Sequence, residues 1–383
     1  MKKVLKKVKN ENGSITSIVL VTILFFIIIL STALMVTSTQ RKSQLDSDLT
    51  LKQIYQRDVD NAGKIAEKLE TSVNIPIPKG YYFVGGTEKT GYVISDSQAD
   101  ENKYLGKSDV GKNLVGNQWV WVPVETPSSL YTTVAAGQKL AGSTGVKTAK
   151  YTNSEIISGI TRVKPGDTSS KREPDILTSS TYGDTDDRAK TAGFSSLANM
   201  AETMVSEYEE MIASLEKYKG FYIGRYELTA NGEKTGATQT CENGVNWYRL
   251  YANCKKWAKE GSKVKTRMIW GLQWDVTCNW LAGSGFDIKD SSKWGNYSNN
   301  DATGHGSKQA TGFSESWKAN NIYDFAGNCD EFTQEAYFTT GRARRGGYYS
   351  HDGYNRPASY RNDGVPTDTR SDRGSRPTLY LIP

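Results

Sequence analysis

Histidine is the scarcest of the residues on which enzyme chemistry commonly depends, since His305 and His351 are the only two in 383 residues. This count excludes a three-histidine zinc site, and the two lie too far apart for the helical His-Glu-x-x-His motif. The Gly-x-Ser-x-Gly sequence of a nucleophile elbow is also missing. Few of the side chains that nucleophilic or metal catalysis requires are therefore available.

Net positive charge is concentrated at one end of the chain. The formal net charge is +6, and residues 1–14 contribute four of these charges through five lysines against Glu11. The remaining sequence is nearly neutral, so it offers no broad cationic face for phosphate groups. We therefore expect no nucleic-acid partner and interpret residues 1–14 as a basic cytoplasmic leader.

Charged residues are absent from residues 15–36, a run of 22 mostly apolar residues. About 20 apolar residues cross a bilayer as a helix, so this run predicts a single transmembrane helix in contact with membrane lipid. The lysines before it place the N-terminus in the cytoplasm and the C-terminal domain outside the cell membrane. The alternative is a cleaved secretory signal, which would have a shorter apolar region.

A further alternative for the N-terminus comes from "NENGSITSIVL" (residues 10–20). A short basic leader that ends in Gly13 and precedes a long apolar helix resembles the N-terminus of type IV pilin-like proteins. The resemblance implies cleavage after the glycine and packing of the helix into a filament. Ile18 occupies the position where most pilins carry Glu, so a filament component stays an alternative to simple anchoring.

Three segments of different character follow the apolar run. Residues 37–74 carry apolar side chains mostly three, four and seven apart, which predicts an amphipathic helical stalk or a helix packed on its own domain. Residues 75–116 form a β-rich lead-in, with strands around "YYFVGG" and "GYVISD". Residues at about 125–195 are polar and aperiodic, which indicates an irregular insertion.

Two further elements have clear periodicity. In "NQWVWVPVE" (117–125), Trp alternates with Val, as in a strand with two distinct faces. Residues 197–218 carry Met, Leu and Tyr at three- and four-residue spacing, which predicts a helix with a buried methionine stripe. Gly220 is the expected C-cap of this helix.

Six motifs occur in order over the rest of the chain. They are "FYIGRYELT" (221–229), "YANCKKW" (251–257), "RMIWGLQWDVTCNWL" (267–281), "NNIYDFAGNCDEFT" (320–333), "RARRGGYYS" (342–350) and "GSRPTLYL" (374–381). Their order and content resemble the formylglycine-generating enzyme-like (sulfatase-modifying factor) family, whose domains have the C-type lectin fold. The resemblance covers roughly residues 117–383 without the insertion. It implies an α+β, lectin-like domain with little regular secondary structure.

Several residues of these motifs predict structural roles. Glycines permit positive φ or close backbone approach, and Asn and Asp side chains bond amides of their own turns. Arginines pin carbonyls or pair with acidic residues such as Asp324 or Glu331. Such contacts replace the ladder hydrogen bonds that buried loops lack. The residues are Asn321, Asp324, Gly327, Arg345, Gly346, Gly347, Arg361 and Arg376.

The resemblance does not extend to the family's catalytic groups. Its oxidase members bind copper through two cysteines just after the Arg-Gly-Gly strand, whereas "GGYYSHDGYNRPASYR" (346–361) contains none. Two histidines are also too few for the iron site of the ergothioneine-type relatives. We therefore predict that the chain is not an enzyme and requires no cofactor, with a formylglycine-generating-type oxidase as the alternative.

All four cysteines precede that stretch. Cys278 and Cys329 have apolar surroundings in the sequence and are interpreted as core residues. Cys241 and Cys254 are candidates for a disulfide outside the cell, but their spacing leaves this open.

Calcium is the one metal that the resemblance implies. Some relatives hold a structural Ca²⁺ in the Gly-Asn-x-x-Glu turn through oxygen ligands of the kind that this ion prefers. Here the corresponding residues are Asn328 and Glu331, with Asp330 beside them. Closure of the same turn by arginine side chains is the alternative.

Binding is the function that remains. The same scaffold serves as the variable receptor of diversity-generating retroelements, in which the loops after the Arg-Gly-Gly strand are rewritten. Residues 348–355 and 362–373 are rich in Tyr, Asn, Asp, Ser, Thr and Arg, the residue types of adaptable binding surfaces. We therefore expect an extracellular protein or glycan as ligand, and a displayed receptor or adhesin as the function. The predicted ligand-binding residues are Tyr348, Tyr349, His351, Tyr354, Asn355, Asn362, Asp363, Asp368, Arg370, Asp372 and Arg373.

Overall fold

The computed structural model describes residues 73–124, 176–177, 179–229, 239–337 and 340–383. Four predicted segments lie wholly or mostly outside the described residues. They are the leader, the transmembrane helix, almost all of the stalk and most of the polar insertion. Within these ranges, no helix has both the length and the apolar character needed to cross a membrane. They form a mixed α/β structure built on two sheets and a two-stranded ribbon.

The larger sheet has six strands in the order β1-β2-β3-β4-β12-β5, and each neighbouring pair is antiparallel. The strands are β1 (Tyr82–Gly85), β2 (Val93–Ser95), β3 (Gln118–Pro123), β4 (Gly220–Gly224), β5 (Val264–Met268) and β12 (Pro377–Leu381). The two strands predicted in the lead-in are confirmed as the β1–β2 hairpin. The last strand, β12, lies between β4 and the edge strand β5, so residues near the end of the sequence pair with two strands that precede them by more than 100 residues.

Strand β3 shows how this sheet organises the core. Trp119 and Trp121 pack into one hydrophobic cluster, whereas Val120 and Val122 pack into a second. All four side chains are buried. Successive side chains of a strand point to opposite faces, so the sheet lies between two cores. The predicted two-faced strand is confirmed, and its alternation separates an aromatic core from a largely aliphatic one.

Four α-helices lie in the described ranges. They are α1 (Asp186–Thr191), α2 (Leu197–Tyr218), α3 (Trp247–Cys254) and α4 (Gly271–Gly283). Helix α2 confirms the predicted methionine stripe, because Met200, Met204 and Met211 are all buried. It begins after Ser196, whose hydroxyl accepts a hydrogen bond from the Asn199 amide as an N-cap.

The predicted C-cap of α2 is wrong by one residue. Lys219 takes the left-handed conformation that ends the helix, with a φ of 59°, and Gly220 already belongs to β4. A Cβ at Gly220 would lie 2.3 Å from the ring of Trp121. The glycine is therefore required by packing between neighbouring strands, and helix termination does not depend on it.

The prediction of irregular structure for the insertion is wrong near the C-terminal end of that segment. Residues 186–191 form helix α1, which Thr185 caps by accepting a hydrogen bond from the Arg188 amide. Ala189 and Phe194 then enter the aromatic core. Two acidic residues in the first turn favour a helix start. A helix of 6 residues is nevertheless too short to show a clear apolar periodicity in the sequence.

The smaller sheet has the order β10-β9-β8-β11. Its strands are β8 (Asp330–Tyr337), β9 (Gly341–Arg345), β10 (Arg361–Gly364) and β11 (Arg373–Ser375). Strand β11 runs parallel to β8, and the other two pairs are antiparallel. A ribbon of β6 (Lys318–Ala319) and β7 (Ile322–Tyr323) precedes it. The predicted binding segments thus enter and leave the strands of this sheet.

The turns between β7 and β8 depend on left-handed backbone. Asp324, Gly327 and Asn328 have φ angles of 52°, 78° and 58°. Asp and Asn tolerate this conformation at modest cost. A Cβ at Gly327, however, would lie 2.1 Å from the carbonyl oxygen of Asn296. Close backbone approach therefore requires glycine at this position, which confirms the predicted reason for it.

We predict that Gly327→Ala destabilises the domain much more than Gly193→Ala. Both glycines have positive φ, 78° and 88°, but no atom lies within 4 Å of the Cβ position of Gly193. Left-handed alanine alone costs about 1–2 kcal/mol, and the backbone overlap at Gly327 should raise the loss above about 3 kcal/mol. Urea unfolding followed by tryptophan fluorescence measures both losses, and equal losses would contradict the prediction.

Candidate functional site

A pair of glycines turns the chain out of β9 into the first predicted binding segment. Gly346 and Gly347 have φ angles of 81° and 70°, as their predicted role requires. A Cβ on Gly346 would lie 3.1 Å from the carbonyl oxygen of Phe325, and one on Gly347 would lie 2.7 Å from that of Arg356. Larger residues would meet backbone at both positions, so the turn requires two glycines.

Residues 348–355, called the tyrosine loop below, are held by a neighbouring segment. The amide and the hydroxyl of Ser298 both donate to the carbonyl oxygen of His351, at 2.9 and 2.8 Å. The Asn299 side chain accepts from the amide of Gly353 at 3.0 Å. These contacts come from outside the loop, so its backbone conformation is set by the surrounding domain.

His351 contributes to the structure of the loop itself. Its ring centroid lies 3.8 Å from that of Tyr348, and its Nδ1 accepts a hydrogen bond from the Tyr348 amide at 3.1 Å. Burial, followed by the positive charges of Arg356 and Arg344, lowers the pKa of His351 to about 3. The imidazole is therefore neutral near pH 7, which preserves Nδ1 as an acceptor.

The second predicted segment, residues 362–373, begins in a strand and not in a loop. Asn362 and Asp363 belong to β10 and pair with residues of β9. Asn362 and Asp363 therefore belong to a strand of the smaller sheet and to neither loop of the site. Residues 365–372, between β10 and β11, form the charged loop.

Two ion pairs brace the charged loop. Arg370 donates to Asp372 at 2.9 and 2.5 Å, and Arg373 donates to Asp368 at 2.9 Å. Asp372 and Arg373 are only 6% and 7% exposed, whereas the side chain of Arg370 is 54% exposed. The two buried residues therefore hold the loop in place, and Arg370 faces solvent.

The two loops meet at the start of β8. The Tyr349 amide donates to the carbonyl oxygen of Asn328 at 3.1 Å, and the Asp330 amide donates to that of Asp372 at 2.9 Å. Asn328 and Asp330 are only two residues apart, so the loops flank one short segment. Those predicted ligand-binding residues of the two loops whose side chains are partly or fully exposed are together called the binding edge. It comprises Tyr348, Tyr349, His351, Tyr354, Asn355, Asp368 and Arg370.

The two residues that the resemblance implies for calcium are engaged by nitrogen donors. Asn328 Oδ1 accepts from Asn296 Nδ2 and from the Gln309 amide, both at 3.0 Å. Glu331 accepts from Arg376 Nη2 at 2.7 Å and from its Nε at 3.1 Å. These donors occupy the lone pairs that a hard cation would need. The arrangement fits a turn closed by arginine better than a calcium site.

Three buried carboxylates, Glu227, Asp324 and Glu331, lie beneath this turn and are called the acidic cluster. Burial raises the pKa of Glu227 well above its usual range, and the charges of Asp324 and Glu331 add to this effect. Burial also raises the pKa of Asp324 to about 6 and that of Glu331 to about 7, while Arg376 opposes each shift. One guanidinium does not balance three carboxylates, so the cluster retains bound protons near neutral pH.

The predicted bonds of Asn321 and Asp324 within their own turns are wrong. Asn321 Oδ1 accepts from the amide of Val110 at 3.0 Å, and Asp324 Oδ2 accepts from that of Gly312 at 2.5 Å. Each side chain reaches into another segment of the chain. The left-handed backbone already closes these turns, which leaves the side chains available for contacts elsewhere.

The predicted pairing of arginines with buried acidic residues is confirmed for Glu331, whereas Asp324 has only neutral donors among the described residues. All three arginines with predicted structural roles make buried ion pairs. They are Arg345 with Asp275, Arg361 with Glu335 and Arg376 with Glu331. Their carboxylate partners lie 26 to 70 residues away in sequence, which is why the sequence did not identify most of them.

The cysteines pair differently from the candidate disulfide. Cys241 is bonded to Cys329, 88 residues away in sequence. Cys254 and Cys278 are buried free thiols. Cys329 is buried in the core, as interpreted, but it is disulfide-bonded, and the Cys241–Cys254 candidate is wrong. Sequence spacing cannot identify a partner that only the tertiary fold brings near.

Some residues of the site were missed in the sequence. Glu227 belongs to the quoted "FYIGRYELT", but only its tertiary contacts reveal its place in the acidic cluster. Asp184 lies in the predicted insertion, yet it forms a fully buried ion pair with Arg342. For Glu227 the signal available was a charged residue next to an apolar stretch, which is too common to be used alone, and the polar surroundings of Asp184 gave no signal.

We predict that Asp324→Asn removes part of the pH dependence of stability. Asparagine keeps an acceptor for the Gly312 amide and tolerates the left-handed backbone. Because the folded pKa of Asp324 is about 6 against an ordinary 3.8, its ionisation should cost the folded state up to about 3 kcal/mol. This loss develops as pH rises from about 4 to above 6, so the variant should gain stability relative to the natural chain over that window.

Urea unfolding at a series of pH values measures this difference. Asp301→Asn is the matched control, because Asp301 is exposed and pairs only with Lys293 among its described contacts. It should leave the slope of stability between pH 4 and 7 nearly unchanged. An Asp324→Asn variant with the same slope as the natural chain would show that Asp324 does not titrate in this window.

Comparison with known proteins gives only partial similarity. No protein-family model and no curated protein matches this sequence. Among solved structures, the chain is similar to Treponema denticola variable protein 1, with 18% identity over 43% of this chain and 85% of that one and a TM-score of 0.31. It is also similar to CarF, with 14% identity over 43% and 87% and a TM-score of 0.33. For PvdO from Pseudomonas aeruginosa the values are 18% identity over 43% and 82%, with a TM-score of 0.33. These matches are partial and do not establish a formylglycine-generating enzyme-like family.

Proposed function

We propose that this protein is a membrane-anchored receptor or adhesin that displays a non-catalytic, C-type lectin-like binding domain outside the cell. Residues 15–36 anchor it in the cell membrane, and the binding edge contacts an extracellular protein or glycan. The observation that carries the proposal is the meeting of the tyrosine loop and the charged loop at the start of β8. Two segments chosen for their binding-surface composition thus lie side by side.

The chemistry of the binding edge supports recognition of a polar surface or a sugar ring. Tyr348 and Tyr349 form an edge-to-face pair with ring centroids 5.4 Å apart, and Tyr354 is 49% exposed. Tyrosine offers a rigid apolar face with a polar end at low entropic cost. Arg370 adds an exposed guanidinium within electrostatic range of Tyr348.

The fixed backbone of both loops supports binding with little reorganisation. The tyrosine loop is bonded to Ser298 and Asn299, and the charged loop is held by its buried Asp372 and Arg373. A loop that is already ordered loses less conformational entropy when a ligand binds. The domain is thus a rigid frame on which surface side chains can change without loss of the fold.

The state of the cysteines supports a non-catalytic function. Residues 346–361 hold no cysteine, and the two free thiols, Cys254 and Cys278, are buried. Burial raises the pKa of both thiols, that of Cys278 to about 12. A reactive thiol needs exposure and a lowered pKa, so neither suits a formylglycine-generating-type oxidation.

The direct test is an array of extracellular proteins and glycans probed with the full-length chain in detergent micelles. For a captured ligand, we predict that Tyr348→Ala and Tyr354→Ala each weaken affinity about tenfold or more, because aromatic anchors carry much of the binding energy of such surfaces. Tyr182→Ala is the matched control, since Tyr182 is 41% exposed and lies outside the binding edge. Equal affinity of all three variants would reject the proposed surface.

A pilin-like filament component is the second candidate, because residues 10–20 contain a glycine-terminated leader before the apolar run. Mass spectrometry of the N-terminus separates the two candidates. A mature chain that begins at Ser14 supports the filament, whereas an intact Met1 in the membrane fraction rejects it and leaves the anchored receptor.

A further inference from the structure

Two sulfur atoms and a carboxylate converge in the core behind the binding edge. The ligand atoms of Glu227, Cys241 and Cys329 all lie within 4.8 Å of one another, and the three residues are buried. They come from separate segments of the chain. Cys241 forms a β-bridge with Thr229, and Cys329 precedes β8 directly.

Glu227, like Asp324 in the same cluster, forms no ion pair within the described residues. Its Oε1 accepts from the amide of Cys329 at 3.1 Å, and its Oε2 accepts from Asn328 Nδ2 at 2.6 Å. Neutral donors therefore fix the orientation of a carboxylate that lies next to two sulfur atoms. Hydrogen bonds of this kind orient the ligands of metal sites.

The donor set matches the preferences of one metal ion. Zn²⁺ binds thiolate sulfur and carboxylate oxygen and is commonly held by three protein ligands with water as the fourth. Zn²⁺ with two thiolates has the same net charge as the neutral disulfide that it would replace. The metal and its two thiolates therefore add no net charge of their own to the acidic cluster, where an uncompensated buried charge would be costly.

We propose that Cys241, Cys329 and Glu227 form a Zn²⁺ site when the disulfide is reduced, and that oxidation of the two thiols excludes the metal. In the reducing step, two thiol molecules transfer two electrons and two protons to the disulfide and leave as their own disulfide. Binding of Zn²⁺ then displaces one proton each from Cys241, Cys329 and the Glu227 carboxyl group to solvent. Glu227 contributes its carboxylate as the third ligand.

Either state links the same parts of the fold. The disulfide joins the Thr229–Cys241 bridge to the segment before β8 that supports both loops of the binding edge. Coordination by Zn²⁺ would join the same residues without the covalent bond. The site therefore maintains the frame under both oxidising and reducing conditions, and it does not depend on the proposed ligand-binding function.

Cobalt(II) is the probe for this site, because it replaces zinc and its thiolate complexes absorb light. The full-length chain in detergent is reduced with excess thiol in denaturant, refolded, freed of the reductant under nitrogen and titrated with Co²⁺. Complete reduction is checked by a count of four reactive thiols in denaturant. We expect one Co²⁺ per reduced chain with thiolate-to-cobalt charge-transfer absorption, and no such absorption for the oxidised chain.

Variants identify the ligands. Cys241→Ser and Cys329→Ser should abolish the charge-transfer signal of a two-thiolate site, and Glu227→Gln should weaken Co²⁺ affinity by about tenfold or more. Cys254→Ser is the control, because Cys254 is a buried thiol outside the cluster, and it should bind Co²⁺ as the natural chain does.

The comparison of reduced and oxidised natural chain does not depend on the folding of any variant. A reduced, refolded chain that shows no charge-transfer absorption overturns the proposal. Equal Co²⁺ affinity of the reduced and oxidised forms does so as well, and so does binding by Cys241→Ser that is as tight as that of the natural chain.

Discussion

The buried ion pair between Arg376 and Glu331 connects the main parts of this domain. Arg376 stands directly before β12, and its guanidinium also donates to the carbonyl oxygens of Gly224 in β4 and Tyr323 in β7. One side chain thus joins the larger sheet, the ribbon and the smaller sheet. Loss of one partner of such a pair costs about 3–5 kcal/mol, because the other charge is left buried without compensation.

Buried arginine side chains connect distant segments elsewhere in the fold as well. Arg342, Arg345 and Arg376 are fully buried, and each pairs with a carboxylate. Arg225 is also fully buried and donates instead to carbonyl oxygens and to Gln118. Short strands leave many backbone groups outside regular ladders, and arginine has enough donors in one plane to satisfy several acceptors at once.

Elements with local signals were predictable from the sequence. Helix α2, the β1–β2 hairpin and the two-faced strand β3 all follow from hydrophobic spacing over a few residues. Positive φ at Gly346 and Gly347 follows from the chemistry of glycine in a turn. The disulfide of Cys241 with Cys329 and the reach of Asn321 to Val110 were not predictable, because their partners are 88 and 211 residues apart in sequence. The proximity of the two binding loops also depends on the order of strands in the smaller sheet.

The sequence by itself determined which residues are apolar, which turns need glycine, and that residues 346–361 lack the cysteines of the oxidases. It also placed the candidate binding residues in two segments near the C-terminus. Only the tertiary structure decided that the tyrosine loop and the charged loop share an edge, that Glu227 lies beside two sulfur atoms, and that arginine engages Glu331. The physical reason is that backbone conformation and burial depend on neighbouring residues, whereas ion pairs, disulfides and binding surfaces depend on segments that folding brings together from distant parts of the chain.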